Sequence, residues 1–213
     1  MAWIRTLFVG RRPLPLILVG LLGLWMAVVH AGEESVALPE DTVVIATGPW
    51  PPYLTPKTKN HGPLAQVVRR AFERAGLKVR FLFHPWPRNL RWTEDGKVDA
   101  LMPAYCSAVR RRRYRCSAAL VQGEQVFFNR RGMAFDWQEL TDLTRYEIGA
   151  TLAYYYGNEF ERLEEEGTLN VLRIPKDQTN FKLLMKGRID LVPQDRVVGH
   201  AMIRSTFPPE QRQ

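Results

Sequence analysis

Apolar positions along the chain fall into two alternating periods, a continuous or every-second-residue run and a three-to-four-residue spacing. Val43 to Thr47, VVIAT, is a continuous run and predicts a buried strand. From Gly62 to Ala75 the residues Leu64, Val67, Val68, Ala71 and Phe72 keep helical spacing, with Pro63 suited to a first turn and Gly76 to a stop. Val79 to Phe83 predicts the next strand, and a short helix follows His84-Pro85-Trp86-Pro87-Arg88 and ends at Gly96. Val98 to Met102 reads as a strand ended by Pro103, and Ser107 as the N-cap of an arginine-rich helix. Val126 to Phe128 reads as a crossover strand, and Asp136 to Leu143 as a short helix. The alternation then resumes: strand 146–152, helix 160–166 stopped by Gly167, strand 169–174, helix 177–186, strand 188–192 ending in Pro193-Gln194-Asp195, and a last helix 197–203. Strands alternating with helices of about ten residues imply mainly parallel sheets.

One segment occurs twice. Gly96 to Pro103, GKVDALMP, and Gly187 to Pro193, GRIDLVP, place glycine, a cation, a β-branched residue, aspartate and apolar residues in the same order, each after a helical pattern. The repetition predicts two similar α/β lobes. The boundaries expected are 43–127 for lobe 1, 128–133 for a crossover hinge and 134–205 for lobe 2, followed by a polar tail, 206–213.

The first 31 residues read differently. Arg5, Arg11 and Arg12 precede an apolar run from Leu14 to Val29, and Val29-His30-Ala31 offers the small residues a signal peptidase accepts. Cleavage after Ala31 is expected, leaving 32–42 as a flexible lead-in to a protein exported to the periplasm; the alternative, a retained anchor, meets a run short of the ~20 residues that span a bilayer. The net charge of +8 on 213 residues is dispersed among acidic residues, so nucleic-acid binding is not expected. RRRRYR at 110–115 is the exception, and Arg111 to Arg113 read as a solvated face, although arginines in a first helical turn oppose the helix dipole and leave room for an anionic ligand. Cys106 and Cys116, the only cysteines, either form a disulfide in an oxidising compartment or, for Cys116, start a buried strand. With no histidine near them they make no zinc site.

In mainly parallel sheets, ligands bind beyond the carboxyl ends of the strands. Those ends carry Trp50, Tyr105, Ser107, Arg110, the tyrosines at 154–156 and Asp195. Arg110 could grip a carboxylate through two parallel hydrogen bonds, and Asp195 could accept from an ammonium or cap the final helix. Trp50 reads equally as a cleft wall or as packing beneath its proline-rich loop. Trp86 and Arg88 reach the cleft or cap the lobe, and His84, without a serine, cysteine or carboxylate partner, reads as a loop histidine.

These segments together resemble the periplasmic solute-binding proteins of family 3, over roughly Val43 to Ser205. The resemblance is carried by VVIATGPWPPY, GKVDALMP, Ser107-x-x-Arg110, VFFNRRGM, IGATLAYYYG and GRIDLVPQD. It implies a two-lobed, type II periplasmic-binding-protein-like α/β fold that closes on a hinge, with a second crossover returning to lobe 1; the sequence ends at Gln213 before such a return. It also implies that Arg110 holds a ligand carboxylate, that Asp195 holds an amino group, and that Trp50 packs on the ligand, with Tyr155, Ser107, Tyr105 and Trp86 around them. Met102, Pro103 and Tyr105 stand where amino-acid binders carry small hydroxyl residues, and Tyr155 where a threonine often does, which implies a ligand that is bulkier, more aromatic, or not an amino acid. The activity expected is non-enzymatic binding of a small polar solute by a monomer without cofactor or metal, for delivery to an ABC permease in the inner membrane. Two other readings follow from the same scaffold: a sensory or degenerate module, and a dehydratase using Glu124 or Asp195 as general acid.

Overall fold

The computed structural model describes residues 2–8 and 41–212. The apolar run 14–29, the cleavage site at Ala31 and nearly all of the expected lead-in 32–42 lie outside them. Lobe 1 is built on a sheet in the order β3-β2-β4-β1-β5, where β2 is Thr42–Thr47, β3 Lys78–Phe83, β4 Ala100–Tyr105, β1 Ala2–Phe8 and β5 Arg115–Cys116. Strands β2, β3 and β4 run parallel, while β1 is antiparallel to β4, to β5 and to β6 (Val121–Gly123). Helices α1 (Pro63–Glu73), α2 (Trp86–Glu94) and α3 (Ala108–Arg113) belong to this lobe. Residues 2–8, expected to be part of a removed leader, are thus a strand inside the sheet.

Lobe 2 pairs β8 (Glu147–Thr151) with β9 (Asn170–Ile174) in parallel. Strand β7 (Gln125–Phe128), expected at the end of lobe 1, pairs antiparallel with β10 (Val192–Asp195) of lobe 2. Helices α4 (Asn158–Glu165), α5 (Asp177–Met185) and α6 (Arg196–Thr206) complete it. The expected helix 136–143 is instead a 3-10 turn over Leu140–Arg145, held by Glu139 and Asp142 in a reciprocal cap. Both repeated strands start later and end later than the sequence suggests, β4 at Ala100–Tyr105 instead of 98–102 and β10 at Val192–Asp195 instead of 188–192, so that Pro103 and Pro193 lie within them. Pro103, which has no N–H to donate, falls where the β1–β4 register shifts between Arg5 and Leu7.

The two copies of the repeat make the same tie. Asp99 accepts from the Val44 amide at 2.9 Å and returns its own amide to the Val44 carbonyl, fixing the turn after α2 to β2. Asp190 accepts from the Glu147 amide at 3.1 Å and donates its own to the Glu147 carbonyl, fixing the turn after α5 to β8. Gly96 and Gly187 precede these turns at φ 68° and 65°, a conformation that costs an L side chain energy and glycine almost none. Asp190 is further held by Arg130 at 3.0 Å.

A continuous apolar core runs from lobe 1 (Ile45, Leu54, Leu64, Met102) into lobe 2 (Phe181, Leu184, Ile189, Met202). A second cluster on the other face of the lobe 1 sheet includes Leu7, Val44, Leu101 and Tyr114, and a third in lobe 2 includes Ile148, Phe160 and Leu163. Cys106 and Cys116 are joined by a disulfide that closes the loop around α3. Among the described residues no helix is long and apolar enough to cross a membrane.

Candidate functional site

Between the lobes lies a cavity of about 400 Å³. Lobe 1 supplies Trp50, His84, Trp86, Tyr105 and Arg110; lobe 2 supplies Gln125, Thr151, Tyr154, Tyr155, Lys176, Asp177 and Gln194. Its walls are mostly apolar, built of aromatic rings and prolines, with charged and amide side chains among them, the composition expected of a small-molecule site.

Arg110 reaches the cavity because Ser107 caps α3, accepting from the Arg110 amide at 3.2 Å. Its guanidinium donates to the Tyr105 carbonyl at 3.0 Å and to the Ala153 carbonyl of lobe 2 at 3.5 Å, and lies 5.9 Å from the ring centres of both Trp86 and Tyr155. Two of its five donors are engaged by these two bonds. Arg113, at the far end of the same helix, points elsewhere and pairs with Glu94 at 3.2 Å on the exposed surface.

Trp86 also crosses the cleft. Its indole N–H donates to the Ala153 carbonyl at 3.0 Å, and its ring meets Tyr154 edge-on at 5.9 Å. The Ala153 carbonyl therefore receives two lobe 1 donors. Ala153 sits at φ 64°, and the turn is fixed by Arg173, which donates to the Thr151 and Tyr154 carbonyls at 3.2 and 2.9 Å while pairing with Glu161 and Glu164.

The carboxylate at the cavity is Asp177, not Asp195. Asp177 opens α5, where a negative charge suits the helix dipole. It accepts from the Thr151 hydroxyl at 2.8 Å, the Gln194 amide at 2.7 Å and the Tyr154 hydroxyl at 3.1 Å. Burial raises its pKa above the usual aspartate value, and these three hydrogen bonds pull only partly the other way. All three donors are neutral, so the charge is solvated but not cancelled. Asp195 is 2% exposed and does not line the cavity; it accepts from the Val197 and Val198 amides, both at 3.0 Å, as the N-cap of α6.

Of the residues singled out by sequence, Trp50, Trp86, Tyr105, Arg110 and Tyr155 line the one cavity. Ser107 stands in an adjoining pocket with Arg111. Burial pushes the Tyr105 hydroxyl up to about 12, the Asp195 charge adding to it. Glu124 is tied to Arg196 by hydrogen bonds of 2.8 and 2.9 Å at the surface, away from the cavity lining. His84 lines the cavity and packs against Trp92 at 4.7 Å. Sequence reasoning misses Asp177 and Gln194. The rule that ligands sit beyond strand ends finds Asp177 when it is applied to β9, which ends at Ile174. Among the described residues no group of three or more His, Cys, Asp or Glu side chains is placed to hold a metal ion.

Two lobes that each carry one copy of the repeat, lobe 1 with a mixed sheet and lobe 2 with a parallel pair beside an antiparallel pair, and the cleft between them define the architecture. An ancestral arginine-binding protein bound to arginine superposes with TM-score 0.67 at 19% identity, covering 78% of this chain and 74% of that one. The fold is that of the periplasmic binding proteins. A histidine kinase sensor domain with similarity to periplasmic binding proteins matches this binding-protein fold with TM-score 0.60 at 23% identity, covering 77% and 72% of the two chains. An ancestral amino-acid-binding protein described as a precursor of cyclohexadienyl dehydratase matches it with TM-score 0.63 at 17% identity, covering 78% and 75%. No protein-family model and no curated protein sequence matches the chain.

Proposed function

We propose that the cleft binds a small zwitterionic solute, an amino acid or close analogue, without transforming it. The observation that carries this reading is that Arg110 from lobe 1 and Asp177 from lobe 2 line the same cavity of about 400 Å³. The guanidinium takes the solute's carboxylate with its remaining donors, and Asp177 takes the ammonium, which supplies the cation its three neutral partners do not. Trp50, Trp86 and Tyr155 close over the apolar part. Because the two charges belong to different lobes, a solute that satisfies both holds the lobes together, and that closed form is what a permease in the inner membrane would read. The resemblance to family 3 solute-binding proteins supports export to the periplasm and delivery to an ABC importer as the setting.

The other reading, a sensory or degenerate module on the same scaffold that binds no solute tightly, is favoured by one feature: Arg110 and Trp86 bridge the lobes through the Ala153 carbonyl, a contact made entirely by the protein's own groups. Thermal melting of the protein against a panel of amino acids distinguishes the two. A solute at 100 times its Kd is expected to add about 2.7 kcal/mol of stability. Absence of a shift with every member of the panel defeats the transport-type reading.

Asp177→Asn separates charge from shape. Asp177 has a folded-state pKa above its unfolded value, so its contribution to stability is fully present below the usual carboxylate range, falls as pH rises through the raised value, and is flat above it. The substitution is therefore expected to leave the unliganded protein as stable or more stable at neutral pH, with the advantage vanishing in acid, while binding of a solute through its ammonium group is lost. Melting of both proteins from about pH 3, below the ordinary aspartate value, to about pH 8 checks the sign.

A further inference from the structure

Strand β1 is separated from β2 by the long stretch 9–41, so no tight turn places it in the sheet. It is nevertheless a central strand. Its main chain pairs with β4 on one side and with β5 and β6 on the other, and in the sheet β5 and β6 pair only with β1. Leu7 is fully buried in the cluster that holds Val44, Leu101 and Tyr114, while the adjacent Phe8 turns to the opposite face and meets Phe72 at 6.2 Å. The Thr6 amide donates to the Ser117 hydroxyl and the Ser117 amide to the Thr6 carbonyl, both at 3.0 Å, and Arg5 donates to the Ser117 carbonyl at 3.0 Å.

The internal repeat says what this position is. In lobe 2, the repeated strand β10 carries an antiparallel partner, β7, that follows directly on β6 of lobe 1 along the chain. In lobe 1, the repeated strand β4 carries an antiparallel partner that arrives from the N-terminus. Both lobes take up such a strand, and neither obtains it from its own parallel βα units. We propose that the groove between β4 and β5 is a strand-acceptor site whose occupant is residues 2–8 of this chain, held by its ladder and by Leu7 and Phe8 rather than by its connection, and so exchangeable with the same segment supplied as a separate peptide. Recognition is by β-strand addition: main-chain hydrogen bonds give affinity, and two consecutive apolar residues directed to opposite cores give register.

Hydrogen exchange on the full chain tests this. Leu7→Asp puts a charge into a closed apolar site and is expected to expel the strand, so that amides in 100–105 and 121–123 lose protection roughly tenfold or more, while 147–151 and 170–174 in lobe 2 keep theirs. A synthetic peptide of residues 1–9 is expected to restore it, and the same peptide carrying Leu7→Asp is not. Unchanged protection in the variant overturns the proposal, as does lost protection that the wild-type peptide fails to restore. Should the variant lose protection in both lobes, a protease site inserted between residues 31 and 32 and cut after folding replaces it. The cut segment is then expected to stay bound and to exchange with isotope-labelled peptide; its release without change in the exchange of 100–105 overturns the proposal.

Discussion

Alanine at Arg110 is expected to weaken binding of a carboxylate-bearing solute by roughly ten- to 150-fold, the loss that follows from removing hydrogen bonds of about 1.5–3 kcal/mol between charged partners. The arginine is placed by the Ser107 cap and braced on two carbonyls, so the guanidinium is ordered before a ligand arrives and little is spent in positioning it. The same change removes one of the two lobe 1 donors to the Ala153 carbonyl, leaving Trp86 as the other. A more open average shape in the unliganded variant, read by small-angle scattering, should accompany the loss of affinity read by calorimetry. Full affinity in the variant would mean that the carboxylate is held elsewhere and that the pocket assignment fails. Lysine at this position is expected to recover only part of the affinity, because a single ammonium cannot present two parallel donors.

The largest effect on stability is expected from Phe181→Ala. Phe181 is 1% exposed, lies in the core that joins the lobes, and meets Phe128 of β7 edge-on at 5.4 Å. Truncation of a buried phenylalanine costs about 3–5 kcal/mol, made up of lost transfer energy and the cavity left behind. In a domain of this size that corresponds to a fall in Tm of roughly 10 °C. The hole cannot close cheaply from the Phe128 side, since that ring already presses on Gly199 so closely that a Cβ there would lie 2.3 Å from it. Circular dichroism melts decide the matter. A loss under about 0.5 kcal/mol, the range of changes away from any core, would contradict a shared core at this point.

Much of this architecture could be read from residue order because its signals are local. Ser107 caps α3 through a bond to the Arg110 amide three residues on, a relation a sequence displays directly. The two glycine-to-proline segments announce a duplicated unit, and their aspartates tie the same kind of turn in each lobe. What could not be read were pairings made at a distance. Pro103 and Pro193 look like strand ends to a local rule, but the antiparallel partners that extend β4 and β10 past them come from residues 2–8 and 125–128. Asp177 and Asp195 show why site residues are harder still. Both open helices beyond strands, and both carry carboxylates; only the tertiary arrangement turns one toward the cleft and the other onto the amides of its own helix. Residues 2–8 have the composition of an export leader, and nothing local in them signals a central strand.

The docking of β1 has a consequence for topology. A helix through a bilayer delivers its two ends to opposite compartments, so if the apolar run 14–29 spanned one, residues 2–8 would be stranded across it from the sheet they complete. Insertion of that run and completion of lobe 1 by its own N-terminus are mutually exclusive states of one polypeptide.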